Sequence, residues 1–545
     1  MAAGITIAWS LLSAGVTLLV AYPLANLLLG SRAAYAVAFP LLVAMWAVPV
    51  YIGAPLWRFA LHGAAGDSVW RALTRIEVNL MRSPTAAFLS SALVAAWFRL
   101  PQAVFILLAA LGRSRKGIDD AARLDGAGPA AIAFSIRLPA MTGAVGAVAA
   151  LELVSAFKEF TVPFLMTAGG PPLRAGITDR TVVGATTTLE LYLYDMFSGY
   201  ADSGKVSAYA VVLSIAVAAV TAAGFGVRAA LKRRSPLPRR DDAPGPLKER
   251  PPRRAVRSPR RATGRVPGRV ADAAFRGSTW LVLGFLVAAG AVLGFCLLWM
   301  AFSDLSIAFV DSIVPRFFTA DNFRRAFVDD GLWRALLNTL YVSALTAALV
   351  GLGAFPAAAW LADRSRAEAA AFFVVLQALS SAGGVHSLIP LYDLWRRLGL
   401  LGGYAPVVLV YLYHSMPVAL FALAEFMRDQ PPSFRDEARL EGLGPIGYML
   451  RVQLPLALPA VGAAAMVAFL SAWNGFMAPL VFLDDDAKYT IAVRLHAYVG
   501  SIASGSPKWN RFAAASIVNI MIVGALFRRF KKPLATSALS DQADD

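Results

Sequence analysis

Long stretches without a charged side chain limit what this chain can fold into. Each is long enough, as a helix, to cross the roughly 30 Å of hydrocarbon in a bilayer, which takes about 20 residues. A helix also satisfies its own backbone hydrogen bonds, as a lipid environment requires. The seven runs are 4–30, 33–56, 206–227, 277–303, 335–362, 404–424 and 456–483.

Four further spans are shorter or carry polar residues, and they bring the expected number of membrane helices to about eleven. These spans are 84–111, 140–167, 369–392 and 512–527. Only 16% of the residues are charged and the mean hydropathy is +0.60. A soluble protein of this length would have about a quarter of its residues charged. The sequence therefore predicts an all-α polytopic membrane protein.

One segment occurs twice, at an offset of 316 residues. Residues 120–128 read Asp-Ala-Ala-Arg-Leu-Asp-Gly-Ala-Gly, and residues 436–444 read Asp-Glu-Ala-Arg-Leu-Glu-Gly-Leu-Gly. The same offset relates Leu138-Pro139 to Leu454-Pro455, and residues 155–160 to residues 471–476. A register this long predicts two tandem homologous halves. The opening helix of the second half, 278–302, has no counterpart in the first half, either genuinely or because the start codon was assigned too late.

A basic, proline-rich stretch separates the two halves. Between Arg228 and Arg269 there are 15 basic and 3 acidic residues, together with eight prolines. This composition is typical of a disordered tether. Binding of nucleic acid or anionic lipid is the alternative interpretation, but no aromatic residues accompany the charge. We therefore expect a first transmembrane domain at 1–231, a linker at 232–275 and a second transmembrane domain at 276–545.

Basic residues cluster in alternate connections, including 113–116, 232–234 and 528–532. Short loops rich in Lys and Arg face the cytoplasm. This rule predicts that both repeated segments, the linker and the C-terminus are cytoplasmic.

Each repeated segment is a short, charged, helix-forming stretch between two apolar runs. Two glycines are expected to end each helix, and Pro139 and Pro455 to begin the next membrane span. A connector that only returns the chain is the alternative, but two copies at the same spacing favour a docking element. Two docking elements on two halves predict a pseudo-symmetric transporter driven by a two-headed partner.

The repeated pattern resembles the EAA loop of the inner-membrane permease subunits of binding-protein-dependent ABC importers. Asp120 stands where the family has Glu, and Glu437 and Glu441 are further mild departures. The resemblance implies a permease domain in each half, each with a cytoplasmic coupling helix that docks an ATPase subunit. The residues it assigns to docking are Asp120, Ala121, Ala122, Asp125, Gly126, Gly128 and Pro139 in the first half, and Asp436, Glu437, Ala438, Glu441, Gly442, Gly444 and Pro455 in the second.

The flanking segments 159–171 and 188–194 resemble the first permease of carbohydrate importers, and 472–476 and 488–493 resemble the second. This implies uptake of a sugar or oligosaccharide by alternating access in a bacterial inner membrane. The implied partners are two ABC ATPase subunits, an extracytoplasmic solute-binding protein and the lipid bilayer, with no nucleic acid. Alternatives are an importer of glycerol phosphate, ferric ion or polyamine, or a secondary transporter with parallel repeats.

The chain is not expected to be an enzyme. Residues 199–205 fit the first seven positions of a phosphate-binding loop, but Val206 replaces the required Ser or Thr. ATP and Mg²⁺ are therefore expected on a separate ATPase subunit, with no cofactor on this chain. One cysteine and four scattered histidines also predict no metal site.

Polar groups within membrane spans usually face a bundle interior or a water-filled path. Lys158 and Asn474 occupy matched positions in the two halves and are flanked by aromatic residues, which suit a sugar. A Lys158–Glu159 pair that only supports packing is the alternative. Arg99 and His414, before matched prolines, are further possible path residues. The predicted substrate-path residues are Phe157, Lys158, Glu159, Phe160, Trp473, Asn474 and Phe476.

Overall fold

Helices form almost all of the regular structure in this protein, which is described by a computed structural model. The described residues are 1–62, 69–80, 82–112, 116–177, 182–199, 203–234, 269–303, 318–365, 367–369, 371–372, 375–376, 384–431, 433–500 and 507–539. Most of the expected linker therefore lies outside the described residues, and the three domain ranges stay predictions.

The helices of the first half are numbered in chain order. They are α1 (Ala2–Gly30), α2 (Arg32–Ala47), α3 (Val50–His62), α4 (Val69–Thr74), α5 (Pro84–Gly112), α6 (Lys116–Leu124), α7 (Pro129–Ala131), α8 (Leu138–Ala140), α9 (Thr142–Phe157), α10 (Thr161–Thr167), α11 (Leu189–Gly199) and α12 (Ser203–Arg234). A π-helix, Ile132–Arg137, connects α7 to α8. Strands β1 (Pro172–Ile177) and β2 (Val182–Gly184) form an antiparallel pair between α10 and α11.

The second half continues the numbering. Its helices are α13 (Arg269–Phe302), α14 (Asp321–Arg324), α15 (Leu332–Ala362), α16 (Val385–Arg397), α17 (Tyr404–Arg428), α18 (Ser433–Leu440), α19 (Pro445–Tyr448), α20 (Leu454–Trp473), α21 (Met477–Phe482), α22 (Ile491–Val499) and α23 (Trp509–Leu539). Two π-helices, Arg325–Asp329 and Met449–Gln453, and a 3₁₀ turn, Asp486–Lys488, complete it.

Seven of the described helices are long and apolar enough to cross a membrane, and two bent helix pairs would each supply one more span. The prediction of an all-α polytopic membrane protein is thereby confirmed. Of the other two predicted spans, 206–227 lies within α12, a helix of 32 residues. The last, 369–392, lies partly outside the described residues.

Three predicted spans are not continuous helices. The run 33–56 bends by 104° between α2 and α3, because Pro49 lacks an N–H and the residue before a proline avoids the helical region. The run 140–167 is interrupted between α9 and α10, and the run 456–483 between α20 and α21. In a continuous helix the rings of Pro163 and Pro479 would clash with the carbonyls four residues earlier.

The two halves share one packing scheme. Helix α1 packs against α5 and α9, and α15 packs in the same way against α17 and α20. The halves are also interleaved, because α12 packs against α16, and α13 packs against both α23 and the first-half helices α1 and α3. The predicted tandem arrangement is therefore present in the fold, and one continuous core cluster contains residues of both halves.

A buried arginine connects three chain segments. The Arg58 guanidinium, only 3% exposed, donates from Nη1 to the carbonyl oxygens of Leu165 and Gly500, each at 3.0 Å. Its Nη2 donates to the carbonyl oxygen of Val499 at 3.2 Å. The guanidinium also lies 5.3 Å from the ring centre of Trp509. Arg58 therefore holds the ends of α10 and α22, which belong to different halves.

Candidate functional site

The two repeated segments fold in the same way. Helix α6 ends where Gly126 adopts a φ of +83°, and α18 ends where Gly442 adopts a φ of +77°. Glycine enters this left-handed region without the strain that a Cβ would add. The Ala127 N–H donates to the Ala122 carbonyl at 2.9 Å, and the equivalent bond from Leu443 is also 2.9 Å. Both helices therefore end in a Schellman-type turn.

The next helix begins earlier than the sequence predicts. Gly128 and Gly444 have extended backbones, and Pro129 and Pro445 occupy the first helical position after them. Proline suits that position because it needs no N–H there. Pro139 and Pro455 do lie in the first turn of α8 and α20, as predicted, but a π-helix joins each of these helices to the shorter helix before it. Each follows a π-helix, whose wider turn accommodates a proline inside a helical stretch.

Each repeat helix has one buried alanine and an exposed acidic face. Ala122 is 8% exposed and Ala438 is 4% exposed, so these small residues let each helix lie close to the bundle. Most of the other predicted docking residues are exposed: Ala121, Gly126, Pro139, Gly442, Gly444 and Pro455. Gly128 is half-buried. The exposed acidic residues are Asp120, Asp125, Asp436, Glu437 and Glu441.

Two exposed leucines at matched positions were not predicted to be docking residues from the sequence. Leu124 is 90% exposed and Leu440 is 88% exposed, although both follow matched arginines in the repeat. An apolar side chain presented in this way at two matched positions is typical of an anchor for a partner protein. The repeat itself carried this signal, since Arg-Leu occurs in both copies.

Helix α6 is anchored by a buried ion pair. The Arg137 guanidinium donates to Asp119 Oδ2 from Nε at 3.1 Å and from Nη2 at 2.7 Å. Its Nη1 donates to Asn26 Oδ1 at 2.8 Å, which ties the pair to α1. The Tyr22 hydroxyl donates to the Ala133 carbonyl at 2.5 Å in the same region. Asp119 and Arg137 are each less than a tenth exposed.

Helix α18 is anchored differently. The equivalents of Asp119 and Arg137 are Arg435 and Gln453, so the second half cannot form the same ion pair. Arg435 instead forms a bidentate pair with Asp363 at the end of α15, with distances of 2.8 and 2.6 Å. The hydrogen bonds to Asp363 raise the pKa of Arg435 above its usual value. Both partners are more than 40% exposed, so this anchor is solvated where the first is buried.

The two predicted path regions are matched helix breaks. Lys158 caps the end of α9, and Asn474 caps the end of α20. Phe160 and Phe476 then start α10 and α21 with nearly identical backbone angles, φ of −113° and −115°. The Glu159 carboxylate accepts the Val162 N–H at 3.2 Å. It therefore satisfies one free donor at the start of α10.

Aromatic side chains from both halves meet beside these breaks. Phe160 stacks on Phe164 with ring centres 4.9 Å apart, and Phe164 lies 6.0 Å from Phe476. His496 lies 5.1 Å from Phe164 and 5.5 Å from Phe476. Phe160 and Phe476 thus both lie against Phe164. Phe157, half-buried, packs against the same core.

Trp473 lies apart from this cluster. Its indole N–H donates to Asn519 Oδ1 at 3.1 Å, and Asn519 donates to the Tyr51 hydroxyl at 3.1 Å. All three side chains are buried. This network indicates that Trp473 holds α20 against α23, a packing role that its sequence position beside Asn474 did not reveal.

We therefore expect Trp473→Phe to lower the free energy of unfolding by about 1–3 kcal/mol, because the buried Asn519 Oδ1 loses its donor and the smaller ring leaves a void. Unfolding in mixed detergent–SDS micelles would measure the change. Phe469→Leu is a suitable comparison, since Phe469 stacks on Trp473 without a hydrogen bond. If Trp473→Phe lost transport but kept its stability, the packing role would be contradicted, and Trp473 would again be a candidate residue of the substrate path.

Two buried pairs of polar, ionisable side chains lie in the bundle. Arg99 Nε is 3.7 Å from Glu152 Oε2, and none of the three guanidinium nitrogens has a hydrogen-bond partner among the described residues. Arg99 is 9% exposed and Glu152 is 2% exposed. The second pair joins the halves: Glu190 on α11 contacts His386 Nδ1 and also accepts the His386 N–H at 3.1 Å.

The Arg99–Glu152 pair offers hydrogen-bond donors on one side chain and acceptors on the other. A guanidinium donates up to five hydrogen bonds, and a carboxylate only accepts them. Buried polar groups left without partners are costly, so these groups favour a ligand that offers both acceptors and donors. Asn474 Oδ1 is likewise buried without a hydrogen-bond partner in the described part of the chain. Within that part, no cluster of three or more His, Cys, Asp or Glu side chains could hold a metal ion.

The chain matches one family model twice, over residues 17–235 and 354–530, and the family is described as the binding-protein-dependent transport system inner membrane component. ORF1 of Streptomyces antibioticus, described as an ABC transporter permease protein, is 35% identical over 42% of this chain and 100% of its own length.

Two further relatives are named for their solutes. The sulfoquinovosyl glycerol transport system permease protein SmoH of Agrobacterium fabrum is 31% identical over 39% of this chain and 74% of its own length. The trehalose transport system permease protein SugB of Mycobacterium tuberculosis is 28% identical over 46% of this chain and 91% of its own length. Each relative thus spans less than half of this chain.

Proposed function

Because the chain belongs to the family of inner membrane components of binding-protein-dependent transport systems, with two permease halves fused in one polypeptide, we propose that it forms the solute pathway of an ATP-driven importer. The solute is a sugar or oligosaccharide. A solute-binding protein delivers it to the outer face of a bacterial inner membrane. Two ATPase subunits bind ATP and Mg²⁺ at the cytoplasmic face and drive alternating access.

The matched repeat helices are the observation that carries this proposal. Each helix is seated on the bundle through a buried alanine and exposes a leucine beside an acidic residue at the same position. Two equivalent surfaces of this kind fit a partner with two equivalent heads. In the proposed mechanism, closure of the ATPase dimer moves α6 and α18 together and rocks the two halves about the pathway between them.

The polar groups beside the helix breaks support a carbohydrate as the solute. The buried Arg99–Glu152 pair presents donors and an acceptor with balanced charge, which suits vicinal hydroxyl groups of a neutral sugar. The aromatic cluster supplies flat apolar faces for the sugar ring. The names of two relatives refer to sulfoquinovosyl glycerol, which carries a sulfonate, and to trehalose, which is neutral, and both names support a carbohydrate as the solute.

Counting the ATPase subunits that co-purify with the chain tests the docking proposal. We expect two cassette ATPase subunits per chain for the wild type, one for Leu124→Asp and none for Leu124→Asp with Leu440→Asp, because a charge at each exposed leucine disrupts its contact. ATP-driven uptake should fall at least about tenfold in the double variant, equivalent to roughly 1.4 kcal/mol of lost coupling. Quantitative mass spectrometry of the purified complex gives the ratio.

The matched control is Leu398→Asp, which places the same charge at another exposed leucine, at the end of α16. This variant should keep two ATPase subunits and normal uptake. Retention of two subunits in the double variant would contradict the docking proposal. Recovery of the chain alone, still moving solute under an ion gradient, would instead favour a secondary transporter.

A further inference from the structure

The second half has neutral side chains at the positions where the first half has its buried ion pair. By the offset of 316 residues, Ser415 on α17 is the counterpart of Arg99. Ala468 on α20 is likewise the counterpart of Glu152, and it offers no polar group. Helix α17 packs against α20 as α5 packs against α9. The Ser415 hydroxyl therefore lacks the partner that its counterpart has in the first half.

The Ser415 hydroxyl is not used by its own helix either. A serine inside a helix commonly donates to the carbonyl oxygen four residues earlier. Ser10 and Ser13 on α1 do so, each at 2.7 Å. Ser415 is only 8% exposed, and its hydroxyl has no hydrogen-bond partner among the described residues. Its donor and its acceptor are therefore both available to a ligand.

One turn before Ser415, the Tyr411 hydroxyl lies against the helix break of the second half. A Cβ on Gly475 would lie 1.8 Å from the hydroxyl oxygen, so any larger residue there would displace the tyrosine ring. The first-half counterparts are Ala95 and Glu159, with the small residue on the helix and the large one at the break. Tyr411 is 8% exposed, and its hydroxyl has no partner in the described part of the chain. This exchange of sizes puts a phenol hydroxyl at a break that carries a carboxylate in the other half.

Asn474 adds a third polar group at the same break. It directly precedes Gly475, and its Oδ1 atom is buried without a partner within the described ranges. Two hydroxyls that donate and accept, together with an amide, match the hydrogen-bonding capacity of sugar hydroxyl groups. None of the three side chains carries a charge. The residues at matched positions in the first half are Ala95, Arg99 and Lys158.

We propose that Tyr411, Ser415 and Asn474 form a neutral subsite of the solute pathway, which binds the hydroxyl groups of one sugar unit. This inference rests on the proposed function and adds that the two halves bind different parts of the solute. The charged side chains at the first break bind the remaining part. Buried polar groups without partners are costly, and the sugar hydroxyls supply the missing partners when the pathway opens.

Thiol labelling tests whether the subsite faces the aqueous pathway. Ser415→Cys is made together with Cys296→Ala, which leaves one thiol because Cys296 is the only cysteine of the chain. The probe is 2-sulfonatoethyl methanethiosulfonate, a charged reagent that reaches thiols through water, applied to the complex in membranes during ATP hydrolysis. The control is Cys296 of the wild type, which is 1% exposed on α13. We expect labelling of the variant to be at least about tenfold faster, since thiol reactivity follows access. Equal rates would overturn the proposal.

Deleting the two hydroxyls tests whether they bind the solute. The variant Tyr411→Phe with Ser415→Ala keeps the ring and should not lower the Tm, because hydroxyls without partners contribute no hydrogen bond. The probe is the sugar eluted from the co-purified binding protein, identified by mass spectrometry and supplied with a radiolabel. We expect ATP-driven uptake to fall at least about tenfold while ATP hydrolysis by the complex is unchanged. The control Ser303→Ala removes another buried hydroxyl without a partner among the described residues, just after α13, and should keep normal uptake.

The wild type in the same assay separates failure of the subsite from failure of the proposed function. If the wild-type complex moved no sugar with ATP, the proposed function would fail, and the subsite with it. If the wild type moved the sugar and the variant Tyr411→Phe with Ser415→Ala moved it equally well, only the subsite would be overturned.

Discussion

Replacing Arg99 with methionine is expected to lower the free energy of unfolding by about 3–5 kcal/mol, because the Glu152 carboxylate is then buried without its counter-charge. The pair is deeply buried, with 10% and 2% of the two side chains exposed. Solvent therefore screens it very little. Unfolding in mixed detergent–SDS micelles measures the loss.

The double variant Arg99→Met with Glu152→Met separates stability from solute binding. Replacing both members of a buried ion pair by apolar residues is often neutral or stabilising. We therefore expect the double variant to recover the lost stability but not the uptake of the solute that the co-purified binding protein carries. A double variant that recovers both would show that the pair only supports packing and would remove Arg99 from the proposed pathway.

Replacing Asp119 with asparagine is expected to cost about 3–5 kcal/mol as well, because Arg137 keeps its charge in a buried position. Removing the carboxylate of the second anchor, Asp363→Asn, should cost at most about 1 kcal/mol, since the Asp363–Arg435 pair is exposed and solvent-screened. Comparing the two variants in one unfolding assay therefore tests whether the two repeat helices are anchored as differently as their contacts indicate.

A double variant tests whether the loss of stability in Asp119→Asn comes from leaving the buried Arg137 charge unpaired. Asp119→Asn combined with Arg137→Gln gives the first half a neutral glutamine, as the second half has at Gln453. This combination should regain most of the stability that Asp119→Asn loses. Equal losses for Asp119→Asn and Asp363→Asn would contradict the proposed difference between the anchors.

The repeated and charge-free features of the sequence predicted much of this fold. Charge-free runs identify membrane helices because their length and composition are set by the bilayer, and this covers helices such as α1 and α15. The tandem register also predicted that Lys158 and Asn474 are equivalent. The helix breaks at these positions were not foreseen, since a window of apolar residues does not record where a proline lies relative to the preceding carbonyls.

Contacts between residues far apart in the sequence could not be predicted from it. Glu190 and His386 are 196 residues apart and come from different halves, so no spacing rule joins them. The Trp473–Asn519 hydrogen bond is similar, because it depends on how α20 meets α23. By contrast, the exposure of Leu124 and Leu440 follows from the repeat, since a leucine kept beside a charged pair in both copies indicates a shared surface rather than core packing.

The position of α13 has a consequence for how the fused chain is assembled. This helix packs against the first-half helices α1 and α3 and against α23 of the second half, so the halves are interlocked through tertiary contacts. Severing the peptide backbone between α12 and α13 would leave those contacts intact. What the fusion adds to those contacts is a fixed ratio: every polypeptide carries one copy of each half.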